Sequence, residues 1–319
     1  MPPRSAPRDR TPADERSRGE GPAGGAPEPV VADSLSGPGR LCTYGDAVMD
    51  VVVQLSRLPV ADDDVPGEIT LSAGGQAANV AAWHVALGGQ ARLATRLGDD
   101  RTGSLVGMML ADAGVEVVGP RGGRTGIVTS MVTPDGKRSM VSDRGASADL
   151  APFEVEDTWF DECAWLHLSG YALFGERSAP AAIAAGARAR RAGAGVSVDL
   201  SSAVLVATAG RARVRQAVER CGATLVFANA AEHEAAGPLR VPRTVVKCGA
   251  DGYVVTDAGG GHSWGALPPA VVRDTTGAGD AFAAGWLLGG PSLALDAARI
   301  CVATTGAMPP AGVERPASS

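Results

Sequence analysis

The chain is 319 residues long, 20% charged and carries a formal net charge of -6, which excludes a small disulfide-stapled fold and makes a polyanion such as nucleic acid an unsuited partner. Aromatic residues make up only 4% while 43 residues are glycine, a composition that favours helices packed closely on a sheet over platforms for stacking bases. The cysteines Cys42, Cys163, Cys221, Cys248 and Cys301 form no C-x-x-C pair, and His84, His167, His233 and His262 lack metal-ligand spacing, so buried thiols and no zinc site are expected. No apolar run reaches the roughly 18 residues that cross a bilayer. A cytoplasmic chain without a membrane partner follows.

Residues 1–39 contain no aromatic residue, and within 1–40 six arginines balance six acidic residues. Such a segment cannot bury enough apolar surface to offset its ordering entropy, so a disordered N-terminal tail is expected, with the acidic excess left to the body. From residue 40 short apolar runs alternate with alanine-rich stretches. The run 41–44 reads as a strand, and 48–55 with 68–71 reads as a strand pair flanking Asp62-Asp63-Asp64. A helix over 76–87 closes at Gly88, and a strand over 92–97 follows. Next come 127–132 and 138–141, a hairpin by the turn chemistry of Pro134-Asp135-Gly136. Strands at 165–168, 196–200, 225–228 and 244–247 complete the series, with a helix over 180–191 that closes at Gly193.

Strand and helix in repeated order imply an α/β fold, a mainly parallel sheet with helices on both faces. The two strand pairs break that order and predict a small separate β-sheet, a lid from about 48–73 and 124–146, within one domain over 40–319.

The most informative stretch is Asp274-Thr275-Thr276-Gly277-Ala278-Gly279-Asp280. Gly277 and Gly279 bare the backbone where a helix begins, so free N–H groups form an anion site with Asp280 in the first turn. A first-turn Asp is ordinarily a helix cap, but a cap needs no glycine pair. Gly74-Gly75-Gln76-Ala77-Ala78-Asn79 opens another helix and reads as a hydroxyl pocket around Asn79 or as a plain polar helix start. Asp50, read as the end of the first strand segment, is either a chelator of two hydroxyls or a loop carboxylate. No G-x-x-x-x-G-K-[ST] and no G-x-G-x-x-G after the first strand is present, which dismisses the P-loop and Rossmann readings.

Taken together, these residues resemble the ribokinase-like, or PfkB, carbohydrate kinases. Asp274 to Asp280 is similar to that family's DTxGAGD motif, and Ala73 to Asn79 to its glycine-rich substrate motif. Leu97-Gly98-Asp99-Asp100, Thr125-Gly126, Asn229-Ala230-Ala231-Glu232 and Gly249-Ala250-Asp251-Gly252 follow in family order. The resemblance implies ATP- and Mg²⁺-dependent phosphorylation of a hydroxyl on a sugar or sugar-like molecule. It makes Asp280 the base and Gly277, Ala278 and Gly279 the anion hole, with a base of ordinary low pKa sufficing for the chemistry.

The same resemblance implies substrate contacts at Asp50, Gly74, Gly75 and Asn79, and nucleotide contacts at Asn229, Glu232, Lys247, Gly249 and Gly252. Glu232 would order magnesium through water, while Asp274 and the Thr276 carbonyl match part of a potassium site in some members. The bland readings of Glu232 and Lys247 are a solvated helix-start carboxylate and a strand-end charge. Gln76 departs from the lysine of ribokinase itself, and Arg144 reads either as a substrate contact from the lid or as a surface residue. A nucleoside kinase and a catalytically idle sugar-binding regulator are the alternatives. A homodimer through the lid is expected from the inserted strands.

Overall fold

The computed structural model describes residues 39–134, 138–257, 260, 262–266 and 271–313. The expected tail up to residue 38 and the Asp135-Gly136 turn lie outside the described residues. Strand β1 (Arg40–Tyr44) is followed by β2 (Val48–Leu55), β3 (Gly67–Gly74), helix α1 (Gln76–Ala86), β4 (Ala91–Ala94), α2 (Arg101–Asp112), β5 (Glu116–Val118), β6 (Thr125–Val132) and β7 (Arg138–Gly145). Then come β8 (Cys163–Ser169), α3 (Gly170–Phe174), α4 (Ala179–Arg191), β9 (Gly195–Asp199), α5 (Ala203–Ala209) and α6 (Arg211–Cys221). The chain continues through β10 (Leu225–Asn229), α7 (Ala230–Ala236), β11 (Arg243–Lys247), β12 (Tyr253–Asp257), β13 (His262–Gly265) and α8 (Ala278–Val302).

The main sheet has the order β13-β12-β11-β10-β9-β8-β1-β4-β5, parallel from β11 to β5 with β12 and β13 antiparallel at one edge. Alternation along β10 shows why both faces are covered. Leu225 and Phe227 join a buried cluster with Trp83 of α1 and Phe282 and Trp286 of α8, while Val226 and Ala228 join the cluster around α4 and α6. Period-2 burial on two faces is what a doubly wound sheet requires.

The strand expected over 92–97 is shorter than its apolar run, because pairing ends at Ala94 and Leu97 makes only an isolated bridge to Arg121. Short β5 and the antiparallel pair β12 and β13 lie outside the strands expected from the sequence.

A second sheet, order β3-β2-β6-β7, is built from the two strand excursions. Its centre is the parallel pair β2 and β6, with an antiparallel partner on each side. Asp50 sits inside β2 opposite Ser72, not at the end of the first strand as its position after β1 suggests. Asp100 ties this sheet to the body: it caps α2 through the Gly103 N–H at 2.7 Å and accepts the Thr125 N–H at 2.8 Å. The chain returns to the body through Gly74 and Gly75 straight into α1. Gly75 has φ of +98°, and a Cβ there would lie 2.4 Å from the Asp46 carbonyl oxygen.

Candidate active site

Four adjacent parallel strands end in polar residues at one edge of the main sheet: Ser169 on β8, Asp199 on β9, Asn229 on β10 and Lys247 on β11. Register places Ser169 opposite Asp199 and Asn229 opposite Lys247. The carboxyl edge of a parallel sheet is where open α/β folds place ligands. Here the N-terminus of α8 faces that edge, and a cavity of about 710 Å³ lies between them. Its size suits a nucleotide-scale ligand.

Gly277 precedes α8 in the left-handed region, with φ of +78°, and a Cβ on it would meet the Ala307 Cα at 2.7 Å. The turn is therefore open to glycine alone at reasonable cost. The Ala278 N–H donates to the Thr275 carbonyl at 3.3 Å and the Ala281 N–H to the Gly277 carbonyl at 2.9 Å, so the Gly279 and Asp280 N–H groups precede the helical ladder. Gly277, Ala278, Gly279 and Asp280 all line that cavity. This is a donor set that fits a phosphate.

Asp280 lies deep in the site. Its Oδ2 accepts the Asn79 side-chain N–H at 2.8 Å, joining the start of α8 to the first turn of α1. Burial pushes its carboxyl up to about 7, with Asp199 adding repulsion and the bonds from Asn79 and Gln76 pulling the other way. The ordinary low pKa expected from sequence is thus corrected, because desolvation outweighs the donors. Gln76 is held by the Ser169 hydroxyl, which donates to its Oε1 at 2.6 Å, and by the Ser201 hydroxyl, which donates to the same atom. With two donors on the oxygen, its amide N–H₂ is left for Asp280.

Lys247 ends β11 with its Nζ 2.6 Å from Asp199 Oδ2. Burial alone would lower its pKa, but the Asp199, Glu232 and Asp280 carboxylates outweigh it and hold the ammonium charged. A Cβ on Gly279 would sit 2.9 Å from that Nζ, so the ammonium lies against the start of α8. Lys247 is thus a strand-end charge, but a mostly enclosed one paired with Asp199.

For Glu232 the outcome is mixed. It forms a capping box with Asn229, taking the Asn229 N–H at 2.8 Å and its side-chain N–H at 2.7 Å. Yet it is buried at 4% exposure and lines the cavity, and burial with the nearby Asp199 charge raises its pKa. Both oxygens keep a second lone pair, which fits an ordered metal–water shell better than direct ligation. Gly249 and Gly252 also line the cavity. Gly252 needs no ligand to explain it, since a Cβ there would strike the Gly265 carbonyl oxygen.

Asp50, Gly74 and Gly75 are absent from the wall of this cavity, and only Asn79 reaches it, through Asp280. Asp50 packs over Gly74, where a Cβ would lie 2.1 Å from its Cγ. Burial pushes the Asp50 carboxyl up to about 6. Arg144 is neither a surface residue nor a free hand: Asp46 grips its Nε and Nη2 at 2.6 and 2.7 Å, and its guanidinium lies 6.0 Å from the Tyr171 ring centroid. Asp274 organises its own loop, accepting the Thr276 N–H at 2.8 Å and hydroxyl at 2.6 Å and the Gly306 N–H at 2.9 Å. The Cys301 thiol donates to the Thr276 carbonyl at 3.3 Å.

Asp199 and Ser201 are the residues that sequence reasoning missed. The signal available was a polar residue ending an apolar parallel strand. Apolar Val272, Phe282, Leu295, Ala298 and Val302 form the far wall of the cavity, and no motif marks them. Among the described residues no group of three or more His, Cys, Asp or Glu could cage a metal, and no helix is long and apolar enough to cross a membrane.

The family model described as pfkB family carbohydrate kinase matches residues 39–291. The chain belongs to the PfkB carbohydrate kinase family. Within this family it is 32% identical to an ATP-dependent ribose-1-phosphate kinase of Halopiger xanaduensis, over 83% of this chain and 91% of that one. It is 31% identical to a fructokinase of Escherichia coli, over 78% of this chain and 84% of the relative. Among solved structures, adenosine kinase from Sinorhizobium meliloti superposes with a TM-score of 0.76 at 25% identity, covering 87% of this chain and 98% of that one. The ribokinase-like fold and the membership of a carbohydrate kinase family expected from the PfkB motifs are thus shown.

Proposed function

We propose that the chain transfers the terminal phosphoryl group of ATP to a hydroxyl of a sugar or sugar-like acceptor, with Asp280 as base. The observation that carries the reading is the meeting of the bare Gly277-Ala278-Gly279 backbone, Lys247 and a desolvated Asp280 at one end of a nucleotide-sized cavity. ATP supplies the phosphoryl group, and Mg²⁺ spreads its charge. Asn229 and Glu232 would hold the water shell of that metal, while Gly249, Gly252 and the apolar wall border the nucleotide. Asp280 hydrogen-bonds the acceptor hydroxyl and takes its proton as the new O–P bond forms and the bond to the ADP oxygen breaks. The Gly277, Ala278 and Gly279 backbone and Lys247 stabilise charge on the equatorial oxygens.

Asp50, Gly74, Gly75 and Asn79 form the acceptor side, under a lid made by the second sheet, about 48–73 and 124–146 of a single kinase domain over 40–319. Its charges are Asp50 and Asp280 with the neutralised Arg144 and Asp46 pair, which suits a polyol. Asp274 and the Thr276 carbonyl are the candidate ligands of a potassium ion. The cytoplasm supplies ATP and keeps the five thiols reduced. A nucleoside acceptor is a second reading, favoured by the adenosine kinase superposition.

The test is ADP release with MgATP against hexoses, pentoses, their phosphates, aminocyclitols and nucleosides, in K⁺ and in Na⁺ buffers. Release with a sugar, faster in K⁺, is expected. Preference for a nucleoside would replace the sugar reading, equal rates in the two salts would remove the potassium site, and acceptor binding without ADP release would indicate an idle regulator.

The second sheet also supports a homodimer. Leu71, Val51, Thr129 and Val141 form one row across its four strands, and Leu71 and Val141 are 53% and 63% exposed with Ile69 of the next row at 62%. Exposed apolar rows on a sheet of this kind mark an interface. Light scattering should show a dimer that the double variant Leu71→Arg, Val141→Arg converts to monomer; a wild-type monomer at micromolar concentration would remove the proposal.

A further inference from the structure

Asp199 belongs to none of the motifs, yet it holds a central place in the charge network of the site. Its side chain is buried, and both oxygens are engaged: Oδ1 accepts the Ser201 N–H at 2.9 Å and Oδ2 the Lys247 ammonium at 2.6 Å. Two anchors on one short side chain fix its rotamer. Lys247 has a four-carbon stem and would otherwise sample many positions. The ammonium is instead pinned where a Cβ on Gly279 would nearly touch it, at 2.9 Å.

A buried ion pair is weak evidence for stability, since well-packed apolar residues commonly do as well. Preorganisation of a charge toward a reacting group is a stronger reason for its presence. We propose that Asp199 is a positioning residue for phosphoryl transfer, holding the Lys247 ammonium beside Gly279 where the transferring group would lie; this rests on the kinase reading above.

The groups facing Lys247 are Asp199 from β9, Glu232 from α7, Asp280 from α8 and the neutral His167 from β8. Partial neutralisation by Asp199 makes Lys247 a poor hook for ground-state ATP. A fixed charge that meets the phosphoryl oxygens as their charge spreads acts instead on kcat.

The test compares Asp199→Asn, Lys247→Met and the double variant in the full chain. With MgATP and the best acceptor from the panel, Asp199→Asn should lower kcat by about 30- to 100-fold and change KM for MgATP by less than about threefold. The double variant should match Lys247→Met alone. Removing the Asp199 charge also relieves repulsion on Asp280, so the acid limb of kcat should move to lower pH; the split between kcat and KM is what a purely structural loss does not produce.

A readout independent of the acceptor is calorimetric binding of MgADP with and without aluminium fluoride. Asp199→Asn should weaken the aluminium fluoride complex by a factor similar to its loss in kcat and leave MgADP alone unchanged. A kcat within about threefold of wild type, or effects of the two single variants that multiply in the double, would overturn the proposal. Should Asp199→Asn fail to fold, the double variant still decides, because a rate well below Lys247→Met excludes action through Lys247. Wild type that binds no MgADP would overturn the kinase reading itself and this proposal with it.

Discussion

Asp280→Asn is expected to lower kcat by about 10³-fold and, at pH 8, to make the protein more stable. The first effect follows from the proposed role of Asp280 as proton acceptor at the reacting hydroxyl. The second follows from desolvation: burial pushes the Asp280 carboxyl from its ordinary 3.8 to about 7 in the folded chain. Below the unfolded value both states hold the proton and the group is neutral in its effect. As pH rises from there to about 7 the unfolded chain releases a proton that the folded chain retains, so wild type loses stability over that window and keeps the full penalty above it. The penalty is roughly 4 kcal/mol at most.

The variant keeps an amide oxygen to accept the Asn79 N–H, so its advantage should grow from pH 4 to 7 and then level. Wild-type kcat/KM should climb about tenfold per pH unit over the same acid limb and level near pH 7. Near-wild-type kcat in the variant would remove Asp280 as the base. A stability difference that is flat with pH would show that its carboxyl is not held near neutrality.

Gly74→Ala is expected to raise KM for the acceptor by about 10²-fold while changing KM for MgATP by less than about twofold. A Cβ at this position would lie 2.1 Å from both Cγ and Oδ2 of Asp50, and a carboxylate cannot share that space. Asp50 stands in the middle of β2, held by register between Ser72 and Val128, so its backbone cannot yield and the side chain must turn away. Gly75→Ala is not an equivalent test, because its φ of +98° and the Asp46 carbonyl 2.4 Å from the added atom strain the entry to α1 itself. An unchanged acceptor KM in Gly74→Ala, measured on protein with wild-type melting behaviour, would separate Asp50 from substrate binding.

Sequence reading recovered the parts of the fold that carry a strong local period. The apolar runs of β1, β8, β9, β10 and β11 and the alanine-rich α1 and α4 declare themselves, whereas β5, with three residues, and the β12 and β13 pair do not. In the site, glycine was the most informative residue, since Gly277 and Gly75 mark backbone conformations that other residues resist. What stayed hidden depends on contacts across long stretches of chain. Nothing local to Asp199 says that it will meet Lys247, and nothing local to Gln76 says that Ser169 and Ser201 will hold its oxygen and so turn its amide toward Asp280. Arg144 likewise gave no sign of its bond to Asp46, formed across 98 positions of chain. The pKa of Asp280 was misjudged for the same reason, because desolvation is a property of the assembled site.

The start of α8 has a bearing on how mutational scans of this protein should be designed. The anion hole proposed above is main chain from Gly277 to Gly279, where there is no functional side chain to delete. A scan that trims residues to alanine is silent at Ala278 by construction. At Gly277 and Gly279 alanine is an addition, and it would press on Ala307 and Lys247 respectively. This part of the molecule is therefore legible only to substitutions that add atoms, and a deletion-style map would leave it blank beside a strong signal at Asp280.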